Sequence, residues 1–266
     1  MVSDDFSLRF GGIRRLYGVD GAEHIRRSHF CVVGIGGVGS WVVEALARSG
    51  VGAITFIDHD DIALSNTNRQ LHTLSSTVER AKSEVMAERV LAINPACRVN
   101  AIDDLLSEKN IERYISREFD YVIDAIDSIR HKAALIYYCK RNKIPVITTG
   151  GAGGITDPTR IDITDLSRTH NDPLAAKVRA KLRSDYGWSR NPKSRFGVDC
   201  VFSSEQHKYP KEDGSVCQRK PGVAGATLDC NMGYGSATFV TASFGFVAVS
   251  RAIDKLLDKK RRQEQQ

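Results

Sequence analysis

The fold of this chain is decided by residues 31–50, CVVGIGGVGSWVVEALARSG, where an apolar run meets a cluster of glycines. The run HFCVVGI at 29–35 is typical of a strand buried on both faces, and the residues after the glycines have the pattern of a helix. Gly50 stands where such a helix commonly ends. We therefore predict a strand, a glycine loop and a helix, the unit that opens a doubly wound parallel sheet.

The same alternation of strand and helix signals continues to about residue 150. Further strands are predicted in AITFID, RVNAI, FDYVIDAID, IPVITTG and RIDITDL, and helices at 76–94, 107–117 and 128–143. After GGAGG at 150–154 the pattern loses its regularity. We predict one α/β domain with a Rossmann-like, doubly wound, mostly parallel sheet and an elaborated C-terminal half. An N-terminal arm covers 1–28, the nucleotide-binding core 29–165, and the elaboration with a C-terminal helix 166–266.

The glycine loop predicts a nucleotide site. Gly34, Gly36 and Gly39 satisfy the G-x-G-x-x-G pattern between a strand and a helix, and Gly37 adds a further glycine. The helix N-terminus offers free N–H groups to phosphates. Asp58, at the end of the second predicted strand, suits a ribose hydroxyl. These features fit NAD and ATP equally well.

The residues after Asp58 favour ATP. The run DHDDIALSNTNRQ is rich in polar groups, and Lys82 follows it at the start of the next long helix. Asp127 comes just beyond the fourth strand, where ligands of such sheets bind. A triphosphate with Mg²⁺ needs cations for its oxygens and a carboxylate for the metal. Each residue alone has a structural alternative, since Arg69 and Lys82 suit a surface and Asp127 a helix cap. The candidates in the run are Asp58, Asp60, Asn66, Asn68, Arg69 and Gln70.

The composition is that of a globular protein of the cytoplasm. Apolar residues make up 41% and charged residues 26%. The six cysteines contain no C-x-x-C pair, so we expect reduced thiols and no zinc site. Residues 231–250 carry no charge and have the length of a membrane span. Their Ser, Thr and Gly content favours a buried helix or a strand–helix pair instead.

A basic stripe lies between residues 177 and 195, within a net charge of +6. A solvated helix face is the ordinary explanation of such a run, and a polyanionic partner is the alternative. Tyr186, Trp188 and Phe196 lie among these cations and offer rings for stacking on unpaired bases, or for the core. The cations of the stripe are Lys177, Arg179, Lys181, Arg183, Arg190, Lys193 and Arg195.

Four motifs, GIGGVGS, IDHDDIALSNTNRQ, AKSEVMAERV and VIDAIDS, resemble the ubiquitin-activating-enzyme-like superfamily. The resemblance implies that the glycines and Asp58 hold ATP and that Asn66, Arg69 and Lys82 contact the triphosphate. It also implies Mg²⁺ on Asp127 and a homodimer in which an N-terminal arginine enters the partner's site. RFGGIRRLYG offers Arg9, Arg14 and Arg15 for that role, and Arg15 is our choice.

Within the superfamily the chain is similar to the tRNA threonylcarbamoyladenosine dehydratases in RNKIPVITTGGAGG, DPLAAKVRAKLRSDYG and GVDCVFSSE. This resemblance implies adenylation of the threonyl carboxylate on tRNA carrying threonylcarbamoyladenosine, followed by ring closure. The alternatives are activation of a ubiquitin-like sulfur-carrier protein and a nicotinamide oxidoreductase, which leaves Arg69, Lys82 and Asp127 without a role. Cys200, Cys217 and Cys230 are expected to be inert, with a sulfur relay and a cysteine desulfurase partner left open.

Overall fold

A seven-stranded sheet forms the centre of the computed structural model, which describes residues 2–211, 213–218 and 234–264. Its strand order is β3-β2-β1-β4-β5-β7-β6, and every pairing is parallel except that of β6 with β7. The predicted α/β, mostly parallel, doubly wound sheet is confirmed. The strands are β1 (His29–Val33), β2 (Ala53–Asp58), β3 (Arg98–Asp103), β4 (Tyr121–Asp124), β5 (Val146–Thr149), β6 (Ile161–Asp165) and β7 (Asp199–Ser203), and a separate hairpin pairs β8 (Tyr209–Pro210) with β9 (Val216–Cys217).

Helices cover both faces of the sheet. Apolar side chains of α1, α2, α3 and α7 form one buried cluster with the strands, and those of α4, α5 and α6 form another. The continuous apolar strands are therefore buried on both sides, as the run at 29–35 predicts. The helices are α1 (Val2–Arg27), α2 (Gly39–Arg48), α3 (Lys82–Ile93), α4 (Ile111–Tyr114), α5 (Ile129–Arg141), α6 (Pro173–Asp185) and α7 (Thr238–Glu264).

The helix expected at 76–94 is shorter than its sequence pattern, since residues 76–81 lie outside α3. Ile62 N–H donates to Arg80 O, and Glu79 N–H donates to Ile62 O, each at 2.9 Å. Glu79 has a positive φ of 69°, which a helix cannot contain. This segment is tied to the loop after β2, so the helix begins only at Lys82.

The second half contributes to the central sheet. β7 lies between β5 and β6, although it follows both in the sequence. The long α7 packs its apolar residues against the cluster that contains α2, with Val240 and Phe244 fully buried. The uncharged stretch 231–250 thus includes the start of a core helix, while its first residues, 231–233, lie outside the described residues. Among the described helices, none combines the length and the apolar character that crossing a membrane requires.

The parallel strands give the sheet two opposite edges. We call the side where the parallel strands end the carboxyl edge, and the side where they begin the amino edge. β1 and β4 are neighbours, and their connections run in opposite directions along the sheet. Ligands of such sheets bind at this reversal, outside the carboxyl ends of the strands. The glycine loop after β1 and the segment after β4 both lie there.

Candidate nucleotide-binding site

The glycine loop is held in shape by two of its glycines. Gly34 has a φ of +80°, and a Cβ on Gly39 would lie 1.8 Å from Gly34 O. A side chain at either position therefore strains or blocks the turn from β1 into α2. Cβ atoms on Gly36 and Gly37 would have ordinary contacts, 3.7 Å from Gln70 Nε2 and 3.4 Å from Arg69 Cγ. Longer side chains there would fill the space between the loop and these two residues.

The start of α2 presents backbone donors that no described residue uses. Gly34 N–H donates to Ile57 O at 2.9 Å, and Ile35 N–H donates to Asp58 Oδ2 at 2.7 Å. The next three N–H groups, of Gly36, Gly37 and Val38, donate to none of the described residues. The first turn of α2 contains no acidic side chain, and Val38 gives it no side-chain cap. The site therefore has unpaired donors at the positive end of a ten-residue helix, as a phosphate requires.

The predicted polar run packs directly on this loop. Trp41 Nε1 donates to Arg69 O at 3.1 Å, and Leu71 N–H donates to Ser40 Oγ at 3.3 Å. His72 lies 2.9 Å through Nε2 from Ile35 O, and its other ring nitrogen is buried without a partner among the described residues. Burial lowers the pKa of His72 to about 4. The ring is therefore neutral near pH 7 and donates from Nε2.

The remaining amides of the run have structural partners. Asn66 is buried, and its Oδ1 accepts from Ala63 N–H at 3.1 Å. Asn68 Nδ2 donates to Ser236 O at 2.9 Å, while Thr238 Oγ1 donates to Asn68 O at 2.6 Å. Asn68 therefore joins the run to the start of α7. This contact orients Arg69, whose half-buried guanidinium donates to Ser65 O and Asn68 Oδ1.

Two acids and a lysine form a chain beside the loop. Asp58 accepts from Ile35 N–H through one oxygen and from Asp60 N–H, at 3.0 Å, through the other. Lys82 is 4% exposed and pairs with Asp60 Oδ2 at 2.7 Å. In this arrangement Asp60 positions the lysine, while each Asp58 oxygen keeps a lone pair for a hydroxyl group.

Asp127 differs from these acids in its surroundings. It is exposed after β4 and takes part in no hydrogen bond or ion pair within the described residues. The potential metal-binding group found among those residues, Asp58, His59 and Asp60, already uses its carboxylates on backbone donors and Lys82. Asp127 is therefore the freer carboxylate for Mg²⁺, which prefers oxygen ligands.

A buried ion pair under the site was not among the predicted site residues. Asp124, fully buried at the end of β4, lies 2.9 Å from Lys132 Nζ and accepts from Thr148 Oγ1 at 2.6 Å. Its other oxygen accepts from Ile126 N–H at 3.0 Å. The network fixes the backbone that leads to Asp127. The available signal was a lysine within the apolar pattern of the helix SIRHKAALIYYC, eight residues after an acid that ends a strand.

The sequence of the chain is similar to that of proteins from one family. The model of the ThiF family matches residues 12–265. The tRNA threonylcarbamoyladenosine dehydratase of Escherichia coli (strain K12) is 56% identical over 264 residues, or 99% of this chain and 98% of that protein. The chain belongs to the ThiF family, among the tRNA threonylcarbamoyladenosine dehydratases.

A solved structure with a bound nucleotide is similar to this chain over nearly its whole length. The E. coli tRNA N6-threonylcarbamoyladenosine dehydratase TcdA in complex with ATP superimposes with a TM-score of 0.88 at 54% identity, covering 99% of both chains. A sulfur-carrier activator is less similar. The molybdopterin-synthase adenylyltransferase of E. coli is 32% identical over 55% of this chain and 59% of that protein. The predicted preference for the dehydratases over the sulfur-carrier activators is confirmed.

The cations of the basic stripe form two groups: those that contact another side chain, and those that contact no described side chain. Arg179 is half-buried against Thr169 Oγ1, and burial lowers its pKa. Lys181 pairs with Asp185 at 2.5 Å, and Arg183 stacks on Phe196 with 5.4 Å to the ring centre. The other four cations are exposed and have no side-chain partner among the described residues; they are Lys177, Arg190, Lys193 and Arg195.

The aromatic rings near the stripe mostly pack inside the protein. Trp188 meets Phe196 edge-on at 4.6 Å, and Tyr186 stacks on Tyr137 at 4.4 Å. All four rings belong to or border the second apolar cluster. These contacts favour the core alternative for these aromatics, because each ring already packs against another ring.

The N-terminal arginine and two of the three singled-out cysteines lie on elements other than the nucleotide loop. Arg15 is exposed on α1 and bonds to no described residue. Burial raises the pKa of the Cys200 thiol well above its usual value, which makes this thiol unreactive. Cys217 is half-buried in β9, and Cys230 lies outside the described residues.

Proposed function

We propose that this chain uses ATP to dehydrate threonylcarbamoyladenosine on tRNA, closing the threonylcarbamoyl group into a ring. The observation that carries the proposal is the set of three N–H groups at Gly36–Val38, beside Arg69, that no described residue accepts from. The similarity of the chain to tRNA threonylcarbamoyladenosine dehydratases supports it. Unused donors at a helix start suit phosphate oxygens. The relative that was crystallised with ATP is identical to this chain at more than half of the aligned positions, and it has the same fold.

The chemistry required is activation of a carboxylate. The threonyl carboxylate is ionised near pH 7 and is therefore a ready nucleophile toward the α-phosphate of ATP. Transfer of AMP to it releases pyrophosphate and converts a poor leaving oxygen into a good one. The carbamoyl nitrogen or oxygen then attacks the activated carbonyl carbon, and AMP leaves with the former carboxylate oxygen.

Positioned charges are the main demand of such a reaction, because negative charge concentrates on the α-phosphate in the transition state. We assign Arg69 and Lys82 to the phosphate oxygens and Asp127 to Mg²⁺. The metal would neutralise phosphate charge when bound. Asp58 would accept from a ribose hydroxyl, and Gln70, which faces Gly36, would border the phosphates.

A second copy of the chain would complete the site. Arg15 is an exposed cation with no partner among the described residues, and the superfamily resemblance assigns such an arginine to the neighbouring subunit. We therefore propose a homodimer in which Arg15 reaches the partner's phosphates. The exposed members of the basic stripe would bind tRNA. We place the activity in the cytoplasm, where ATP and tRNA occur together. If a cysteine desulfurase is a partner, it would act through a thiol other than that of Cys200.

The test is conversion of tRNA carrying threonylcarbamoyladenosine in the presence of ATP and Mg²⁺. Nucleoside mass analysis should show loss of one water, with AMP and pyrophosphate formed in equal amounts. Asp127→Asn should lower turnover by about a hundredfold or more, because the metal loses its carboxylate. Asp162→Asn, an equally exposed acid on β6, should leave turnover unchanged.

Two outcomes would contradict these assignments. A fully active Asp127→Asn enzyme would remove the Mg²⁺ role from this residue. Pyrophosphate exchange that responds only to a ubiquitin-like carrier protein, with the tRNA nucleoside unchanged, would replace the dehydratase proposal by the sulfur-carrier alternative.

A further inference from the structure

A cavity of about 520 Å³ opens at the amino edge of the sheet. We call it the amino-edge cavity. The first residues of β4, β5 and β7 form its floor together with the end of β6, and α7 forms one wall. Five cations and two acids line it; the cations are Lys140, Arg168, Arg195, Arg251 and Lys255.

Both acids of the cavity already have partners within the chain. Asp165 accepts backbone N–H groups from Ser167, Phe196 and Gly197 at 2.7–2.9 Å. Asp199 pairs with Arg251 Nε at 2.6 Å. Lys140 is also engaged, since it donates to Gly197 O at 2.9 Å. These bonds build the cavity wall, and the cavity keeps an excess of positive charge, because five cations face two acids.

Three cations remain unpaired around this one concavity. Arg168, Arg195 and Lys255 are all exposed, and none bonds to a described side chain or carbonyl. Like charges gathered in a concave, partly apolar surface repel one another and raise the local positive potential. Such an arrangement suits an anion with several negative charges that contacts more than one cation at once.

The cavity is separate from the nucleotide loop. The five residues of β1 span about 16 Å, and the two sites lie beyond opposite ends of the parallel strands. A nucleotide bound at the glycine loop is therefore out of reach of Arg168. Arg195 belongs both to the cavity and to the basic stripe, so a band of free cations continues from the cavity along 190–195.

We propose that the amino-edge cavity binds backbone phosphates of the tRNA substrate, away from the nucleotide that reacts at the carboxyl edge. This inference rests on the proposed function, because it takes tRNA as the substrate. A long polyanion can occupy the cavity and the exposed cations at 190–195 together, which a single free phosphate cannot. The cavity would then raise affinity for tRNA without taking part in the chemical step.

The test compares Arg168→Gln with Arg98→Gln. Arg98 is an equally exposed arginine at the amino edge, on β3 at the far side of the sheet, with no described side-chain partner. Binding of full-length tRNA is measured over a range of KCl concentrations. Loss of one phosphate contact should reduce the slope of log affinity against log salt by about 1 and weaken binding about fivefold at 0.1 M salt. Arg168→Gln/Lys255→Gln should reduce the slope by about 2.

Arg98→Gln should match the unsubstituted protein in every measurement. Turnover at saturating tRNA should be unchanged in Arg168→Gln, so the loss appears in KM for tRNA rather than in kcat. The inference is overturned if the slopes of Arg168→Gln and Arg98→Gln are equal. It is also overturned if Arg168→Gln abolishes thermal stabilisation by inorganic phosphate while leaving the tRNA slope intact, since the cavity then holds a small anion.

The two proposals can fail separately. If the unsubstituted protein binds tRNA with an Arg168-dependent slope but does not dehydrate its nucleoside, the proposed function fails while the phosphate site stands. If dehydration proceeds and the slope is independent of Arg168, only the inference about the cavity fails.

Discussion

The two edges of the sheet carry their charges in different ways. At the carboxyl edge, Lys82 pairs with Asp60 and the buried Lys132 with Asp124, so these two cations are fixed by neighbouring acids. At the amino edge, Arg168 and Lys255 are exposed and unpaired among the described residues. The carboxyl edge is therefore a small site whose charged groups are held in position before a ligand binds. The amino edge is a surface that attracts an anion through its positive electrostatic potential.

The carboxyl edge depends on buried polar groups, and removal of one partner there should cost stability. The amino edge depends on exposed charges, whose removal should change binding but hardly the fold. The distinction would be wrong if substitutions at the two edges lowered the free energy of unfolding by equal amounts.

Lys132→Met should destabilise the fold by about 3–5 kcal/mol, because it leaves Asp124 buried without its cation. The measurement is the free energy of unfolding in urea. Asp124→Asn combined with Lys132→Met should recover part of the loss, since no charge then stays buried. Lys140→Met, on the same helix but exposed, should cost less than about 1 kcal/mol. Equal losses in the two single variants would contradict the structural role given to this ion pair.

His72 should make stability depend on pH. Its pKa is about 4 in the folded chain, against an ordinary value near 6.5 when unfolded, so the unfolded chain binds the extra proton between these values. Stability is therefore present above pH 6.5 and lost as the pH falls toward 4. From pH 7 to pH 5 the loss should be about 2 kcal/mol.

The check is the difference in unfolding free energy between pH 7 and pH 5. His72→Gln keeps an N–H donor for Ile35 O but has no titrating ring, so its loss over this interval should be smaller by that amount. A variant with an undiminished pH dependence would show that other groups, rather than the ring held against the glycine loop, control acid stability.

The strand pattern and the polar run made most of the fold and part of the site predictable. β2 matches its predicted residues. Gly50, two residues beyond the end of α2, has a left-handed φ of +74°, as expected for a residue just beyond a helix. These features are local: apolar runs, glycine spacing and helix ends are set by neighbouring residues. The clustering of Arg69 and Gln70 on the loop also followed from the sequence, because residues after adjacent parallel strands meet at one edge.

What escaped prediction depends on contacts distant in sequence. The start of α3 is set by the pairing of 79–80 with Ile62, which overrides the helical pattern of 76–81. β7 follows β6 in the sequence but lies between β5 and β6, so the chain comes back from the edge strand β6 to pair with β5. The Asp124–Lys132 pair and the amino-edge cavity likewise arise only when separate elements pack together. The roles of Arg15, Asp127 and the stripe, and the division at residues 28 and 165, stay predictions.

The central claim is that the carboxyl edge activates the threonyl carboxylate by adenylation, and an oxygen label tests it most directly. The substrate is tRNA in which both oxygens of the threonyl carboxylate are ¹⁸O, incubated with ATP, Mg²⁺ and the unsubstituted protein. Because the carboxylate oxygen bonds to the α-phosphate and leaves with it on ring closure, one ¹⁸O should appear in AMP for each nucleoside dehydrated. Label found in inorganic phosphate, with ADP as the other product, or label lost to water with AMP unlabelled, would contradict the account.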